Sequence, residues 1–334
     1  MFAHSARIST SALIPTAALI ALVAGCMPTG SFKITAMPED QSLREQIVYK
    51  DPKWISERIA IIDISGVLMN GREMGLLSEG EHIVSLIVEK LDKAAKDDRV
   101  KAVVLRINSP GGTVTASDTI YEEILAFKRK TGKPVVAFFQ DVAASGGYYL
   151  ACAADEIMAQ RSTVTGSIGV IMQMVDVSGG MNKLGITSDA ITSGKFKDTG
   201  SPFRKMRAEE RALFQDMVNS FYNQFVDAVD AGRPKLDREQ VVKLADGRVY
   251  TAAQALAAGL VDRVGTIHDA IEVARGRAGL KAAHVVLYRR PLDWSSNVYA
   301  KSLVTGGSVM NLINIEVPFD FTIRPRFLYI WDSQ

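Results

Sequence analysis

The segment Ala143-Ala144-Ser145-Gly146-Gly147-Tyr148 follows an apolar run and opens a stretch of small residues. A serine at the start of a helix has its hydroxyl near the positive end of the peptide dipoles, where a developing oxyanion is stabilised. The same position is also the usual place for a helix-capping serine, so position alone leaves Ser145 with two readings. Ala143 stands where the α/β-hydrolase nucleophile motif carries glycine, which excludes that motif. A second turn, Ser109-Pro110-Gly111-Gly112, follows another apolar run. Paired glycines there let backbone N–H groups converge on a ligand, or simply make a tight turn. No Lys-Ser or Lys-Thr pair follows them, which excludes a phosphate loop.

A serine nucleophile needs a base. The histidines, His4, His82, His268 and His284, are scattered, and none lies in a glycine-rich context. A lysine kept out of water is the other option, because desolvation disfavours its charged form. Thr192-Ser193-Gly194-Lys195-Phe196-Lys197-Asp198 offers two. On a strand Lys195 and Lys197 would share a face, so alternation does not separate them. Either also reads as an ordinary solvated charge.

The elements that must position these residues alternate in type. Residues 58–68, 100–107 and 134–140 are strand-like, rich in Ile, Val and Phe. Residues 79–97, 115–129 and 144–153 have helical character, the last short and built of small residues. Continuous apolar strands alternating with helices predict a parallel sheet buried on both faces. A strand-like run at 186–191 precedes the lysine segment. Helices are predicted over 208–231, 237–245 and 251–258, then a strand at 284–290 and an aromatic, basic end at 324–331.

The N-terminus reads as an address. Arg7 is the only full side-chain charge before Lys33, and an apolar stretch over 12–24 is broken only by Pro15 and Thr16. That is shorter than the roughly 20 residues of a spanning helix and fits an export signal. It ends in Val23-Ala24-Gly25-Cys26. The expected organisation is a signal over 1–25, a Pro- and Gly-containing tether over 26–57, a folded domain over 58–280 and an extension over 281–334.

Composition narrows the classes. Of 334 residues, 47% are hydrophobic and 23% charged, which excludes a disordered chain and a multi-span membrane protein. A net charge of +2 gives no reason to expect nucleic acid. Two cysteines build neither a disulfide framework nor a Cys-rich metal site, and the histidines lack ligand spacing, so no metal or other cofactor is expected.

Several motifs in order carry a resemblance. They are Ile107-Asn108-Ser109-Pro110-Gly111-Gly112, Ala144-Ser145-Gly146-Gly147-Tyr148-Tyr149, Thr165-Gly166-Ser167-Ile168-Gly169-Val170, and Ser193-Gly194 through Lys197-Asp198. Ala245-Asp246-Gly247-Arg248-Val249-Tyr250 and Ala258-Gly259-Leu260-Val261-Asp262 extend it. Over about 58–278 the chain resembles the signal peptide peptidase A (SppA) family, and Val23-Ala24-Gly25-Cys26 resembles a bacterial lipobox. The resemblance implies an α/β fold of the ClpP/crotonase type, a repeated β-β-α superhelix with additional C-terminal helices. It implies a serine endopeptidase with Ser145 as nucleophile, Lys197 as general base ahead of Lys195, and Ser167 orienting the lysine. The oxyanion hole would come from the backbone N–H groups of Gly112 and Gly146. The first Gly turn also resembles that of the Clp protease proteolytic subunit, but Val170 stands where that enzyme has its histidine.

In short members of the family, serine and lysine come from neighbouring subunits, which implies a homo-oligomer with shared sites. The helical stretch 208–231 carries Leu213, Met217, Phe221 and Phe225 at helical spacing, suited equally to an interface or to core packing. Lipid on Cys26 would hold the protein at a membrane on the periplasmic or other extracytoplasmic side. Expected substrates are apolar peptides such as cleaved signal peptides, with Val170, Ile171, Met172 and Met174 lining a groove or forming a buried strand. A non-catalytic scaffold and, more remotely, a crotonase-type acyl-CoA enzyme are the rival readings.

Overall fold

The computed structural model describes residues 40, 42–52, 54–75, 78–291 and 326–331. The expected signal over 1–25 and Cys26 lie outside these residues, and no described helix is long and apolar enough to cross a membrane.

The strands β1 (Arg44–Tyr49), β2 (Arg58–Ser65), β3 (Arg72–Gly75), β4 (Ser78–His82), β5 (Val100–Ser109), β6 (Gly111–Thr113) and β7 (Val135–Ala144) alternate with helices α1 (Ile83–Lys96) and α2 (Val114–Thr131). Then follow α3 (Gly146–Ala151), β8 (Glu156–Ala159), β9 (Val164–Gly166), β10 (Ile171–Gln173) and α4 (Ser178–Lys183). The rest comprises α5 (Ala208–Gly232), α6 (Arg238–Leu244), β11 (Val249–Thr251), α7 (Ala252–Ala257), β12 (Arg263–Val264), α8 (Ile267–Arg277), β13 (His284–Arg289) and β14 (Arg326–Ile330).

The main sheet has the order β1-β13-β2-β5-β7-β8-β12, with β9 on the far end of β7 and β11 on β9. From β13 to β12 every neighbouring pair is parallel, and only β1 and β11 run antiparallel. Along β5, Val103, Leu105 and Ile107 enter the core under α1 and α2, while Ala102 and Val104 enter the core under α8. Both faces are therefore buried, and for that reason these strands read as unbroken apolar runs.

A small second sheet crosses the ends of the first, in the order β10-β14-β6. Leu68, beyond β2, joins it through a parallel bridge to Gly112. Each of β5-β6-α2 and β9-β10-α4 is thus strand, short outer strand, helix, which makes this an α/β fold of stacked β-β-α units.

Three details differ from the sequence-based expectation. β1 lies within the expected tether, yet pairs antiparallel with β13, which itself lies past residue 280 and inserts beside β2. The sheet therefore begins before residue 58 and ends after 280. Residues 186–191 form no strand: they are exposed coil, because no neighbouring strand is there to pair with them. β10 is no buried strand either, since Ile171 and Gln173 are exposed and Met172 is only partly buried.

Candidate active site

β7 leaves the sheet at Ala144 and α3 begins at Gly146, so Ser145 makes the corner between them. Its backbone is forced to φ 51° and ψ −116°, a region that costs a residue with a Cβ. The corner is held by Ser145 N–H donating to Gly166 O (2.8 Å) and Tyr149 N–H donating to Ser145 O (2.8 Å). The Ser145 side chain makes no capping bond. It is 1% exposed, and its Oγ has no hydrogen-bond partner among the described residues. A buried hydroxyl left unpaired is costly. The capping reading of Ser145 therefore fails, and what remains is a free hydroxyl held in a strained turn.

β9 runs parallel to β7 in a register that places Gly166 beside Ala144. Ser167 is the next residue, as Ser145 is on its strand, and it too has positive φ (49°). Thr165 Oγ1 donates to Ala143 O (2.6 Å), and Ser167 N–H donates to Arg248 O (2.8 Å). Two equivalent strand ends thus bring Ser145 and Ser167 to one edge of the sheet.

The glycines of β6 face the same corner. Gly111 has φ 101°, and a Cβ there would lie 2.7 Å from Gly146 N. A Cβ on Gly146 would lie 3.2 Å from Gly111 Cα and 2.2 Å from Ser117 Oγ. The two backbones meet at a distance only glycine permits.

The space between β6 and β10 is filled by β14, antiparallel to both. Gly112 stands opposite Tyr329, and Trp331 N–H donates to Pro110 O (2.8 Å). In an antiparallel ladder bonded pairs alternate, so the Gly112 N–H faces the Tyr329 carbonyl. The same oxygen would lie 3.1 Å from a Cβ on Gly146. One carbonyl of the chain's own end therefore sits between Gly112 and Gly146, beside Ser145. The sequence marks this end only as aromatic and basic, and its place in the cleft depends on long-range pairing that no local signal carries.

Lys195 and Lys197 lie elsewhere. Lys195 pairs with Glu209, whereas Lys197 is exposed and forms no ion pair among the described residues. Since Ser145 Oγ has no partner, neither lysine reaches it within this chain. The described histidines do not either. His82 caps α1 by accepting from Ser85 N–H (3.3 Å), and His284 Nδ1 accepts from Asp51 N–H (3.1 Å). The arm that carries Lys197 is tied to the start of α5. Arg204 bonds Asp198 Oδ2 (2.6 Å) and both Glu210 oxygens (2.9 and 2.5 Å), and Arg207 also pairs with the buried Glu210. These guanidinium bonds, Arg204 first, pull the Glu210 carboxyl down to about 2. Apolar side chains at Leu184, Ile191, Phe196 and Phe203 stand exposed along the arm. On α5, Phe225 is buried within the chain and Phe221 partly so, while Leu213 and Met217 are exposed, so the helix serves the core at one end.

Comparison with known proteins agrees with this architecture. Residues 127–281 match the model of peptidase family S49. A candidate signal peptide peptidase SppA from Enterococcus faecium is 34% identical over 283 residues, covering 82% of this chain and 81% of that protein. Protease 4 of Salmonella typhi is 37% identical over 240 residues, 72% of this chain and 38% of that protein. The chloroplastic serine protease SPPA of Arabidopsis thaliana is 36% identical over 227 residues, 67% of this chain and 33% of that protein. On this similarity and its α/β fold, the chain belongs to the SppA family of serine peptidases, peptidase family S49.

Proposed function

We propose that this peptidase works through a Ser–Lys dyad shared between copies, with Ser145 of one protomer completed by Lys197 of its neighbour. The observation that carries this reading is the Ser145 hydroxyl, buried, strained and unpartnered, beside a carbonyl set between Gly112 and Gly146. A neighbour that covers the corner would strip water from Lys197 and favour its neutral amine. Neutral Lys197 Nζ takes the Ser145 Oγ proton as Oγ attacks the substrate carbonyl carbon. The N–H groups of Gly112 and Gly146 hold the oxyanion, and Ser167 orients the lysine. The C–N bond breaks as the leaving amine receives the proton from Lys197; the neutral Lys197 Nζ then deprotonates a water that attacks the acyl carbon, the Oγ–acyl bond breaks, and Lys197 returns that proton to Ser145 Oγ.

Substrates on this reading are apolar peptides that enter as an extended strand between β6 and β10, in the place β14 occupies. Lipid on Cys26 would hold the enzyme at an extracytoplasmic membrane surface, where cleaved signal peptides are such substrates. The test is hydrolysis of an apolar fluorogenic peptide by the purified assembly. Ser145→Ala and Lys197→Ala are expected to abolish it, and Lys195→Ala to retain it. Equal cleavage by wild type and all three variants would assign the hydrolysis to a contaminant or another site and put the scaffold reading first.

A further inference from the structure

We propose that β11 is the clamp that fixes both serine corners, and that Tyr250 is its positioning residue. This rests on the reading of Ser145 as nucleophile with Ser167 beside it. The stretch Ala245–Tyr250 takes no part in the chemistry proposed above, and its place in the sheet gives it one.

β9 is held between two strands. β7 lies on one side, parallel, and β11 on the other, antiparallel, with Val249 opposite Gly166 and Tyr250 opposite Thr165. Both corners depend on this arrangement. Ser145 N–H donates to Gly166 O (2.8 Å), and Ser167 N–H donates to Arg248 O (2.8 Å). Gly247 N–H donates to Ile168 O (3.1 Å), so the same segment also holds the residue after Ser167. Gly166 and Ser167 have positive φ in succession, 88° and 49°. Gly166 has no side chain of its own to hold that bend.

The Tyr250 ring covers Gly166 instead. A Cβ on Gly166 would lie 2.5 Å from Tyr250 Cδ2 and 3.1 Å from Cε2. The far end of the ring is anchored, because Tyr250 OH donates to Leu244 O (3.0 Å). Leu244 is the last residue of α6, where helix geometry leaves carbonyls without a helical partner. Burial raises the Tyr250 phenol above its ordinary range, which keeps it protonated as a donor. A ring laid on a bare Cα leaves Gly166 little room to swing, and the direction of Gly166 O sets that of Ser145 N–H. Arg248 does the same for Ser167 through its carbonyl, while its guanidinium bonds Asp246 Oδ1 (2.8 Å).

β9 separates β11 from β7, so loss of the ring reaches Ser145 through Gly166. Misplacing a reacting group by about 1 Å costs up to about a hundredfold in rate. Tyr250→Ala should therefore lower kcat by about ten- to hundredfold and leave KM within about twofold. Labelling of Ser145 by a fluorophosphonate, which needs the serine but no peptide, should slow in the same proportion. Tyr250→Phe keeps the ring and should keep kcat within about threefold, having lost one neutral hydrogen bond.

The experiment measures kcat, KM, fluorophosphonate labelling and thermal unfolding on the full chain. Phe127→Leu is the control for a lost buried aromatic, since Phe127 lies in the core about 20 Å along α2 from β6. Slower turnover and labelling in Tyr250→Ala at unchanged KM, with Tyr250→Phe near wild type and Phe127→Leu destabilised but active, supports the proposal. An equal loss of kcat in Phe127→Leu makes the effect one of stability and overturns it. Tyr250→Ala that loses stability alone, or raises KM alone, while Ser145→Ala is inactive, overturns the clamp and leaves the nucleophile standing. Cleavage that persists unchanged in Ser145→Ala removes the nucleophile and the clamp with it. If Tyr250→Ala does not fold, Tyr250→Leu fills the volume without a flat face, and a kcat equal to that of Tyr250→Phe overturns the proposal.

Discussion

Ser145 and Gly111 show how much of the site is backbone conformation. Ser145 gains its free hydroxyl from a φ that a serine rarely adopts, and Gly111 lets its backbone come close to those of Gly146 and Tyr329. A Cβ on Gly111 would lie 2.0 Å from the Tyr329 carbonyl oxygen, the place a substrate carbonyl takes on our reading. Gly111→Ala should therefore lower peptide hydrolysis by about a hundredfold or more, as loss of an oxyanion donor does. It should also cost about 1–3 kcal/mol of stability through the positive φ. Gly132→Ala is the control, because Gly132 also has positive φ (64°) but its Cβ would meet open space. Thermal unfolding and hydrolysis measured together decide the matter. If both variants lose stability alike and neither loses activity, Gly111 shapes a turn and nothing more.

At the scale of elements, the arm between β10 and α5 is the least regular part, and the ion pairs of Asp198, Arg204, Arg207 and Glu210 give it a fixed seat on α5. Glu210 has a depressed folded value of about 2, so its contribution is complete above the ordinary carboxylate range and is lost only as pH falls through that value. The seat should survive at pH 4 and open at pH 2. Pepsin, active at both, should then cut at Phe196 and Phe203 only at the lower pH, while Glu210→Gln should be cut at both. Cutting of wild type at pH 4 as fast as the variant would show that the carboxylate does not hold the arm. Acid loss of hydrolysis above pH 4 is then attributable to a protonated base and not to the arm. The arm also marks where the sequence was legible and where it was not. β2, β5 and β7 are buried on both faces, so burial wrote their extent into unbroken runs of Ile, Val and Phe. Residues 186–191 have the same residue types but no sheet neighbour, and apolar composition alone could not reveal that. The glycine turns and Ser145 were legible because close backbone approach admits few residue types. The pairing of β14 with β6 and β10 was not, since it joins segments distant in sequence.

The whole molecule places the arm that carries Lys197 in solvent and the Ser145 hydroxyl in a corner where no side chain or backbone group of the described residues bonds it. Exposed Leu184, Ile191, Phe196 and Phe203 on that arm form apolar surface of the kind that self-association covers. In a closed ring each arm lies against the next copy, and one contact repeated around the ring completes every site. Shared sites make a prediction that sites within one chain do not. On the proposed dyad Ser145→Ala and Lys197→Ala should each be inactive, but mixed before assembly they should regain activity. A site works when its corner comes from a Lys197→Ala chain and its arm from a Ser145→Ala chain, which random mixing yields at about one quarter of the sites. Hydrolysis should rise toward that fraction of wild type as the mixture is dissociated and reassembled, and stay at zero when the two proteins are combined without exchange. A reassembled mixture that remains inactive, while wild type carried through the same cycle recovers, would place serine and base in the same chain.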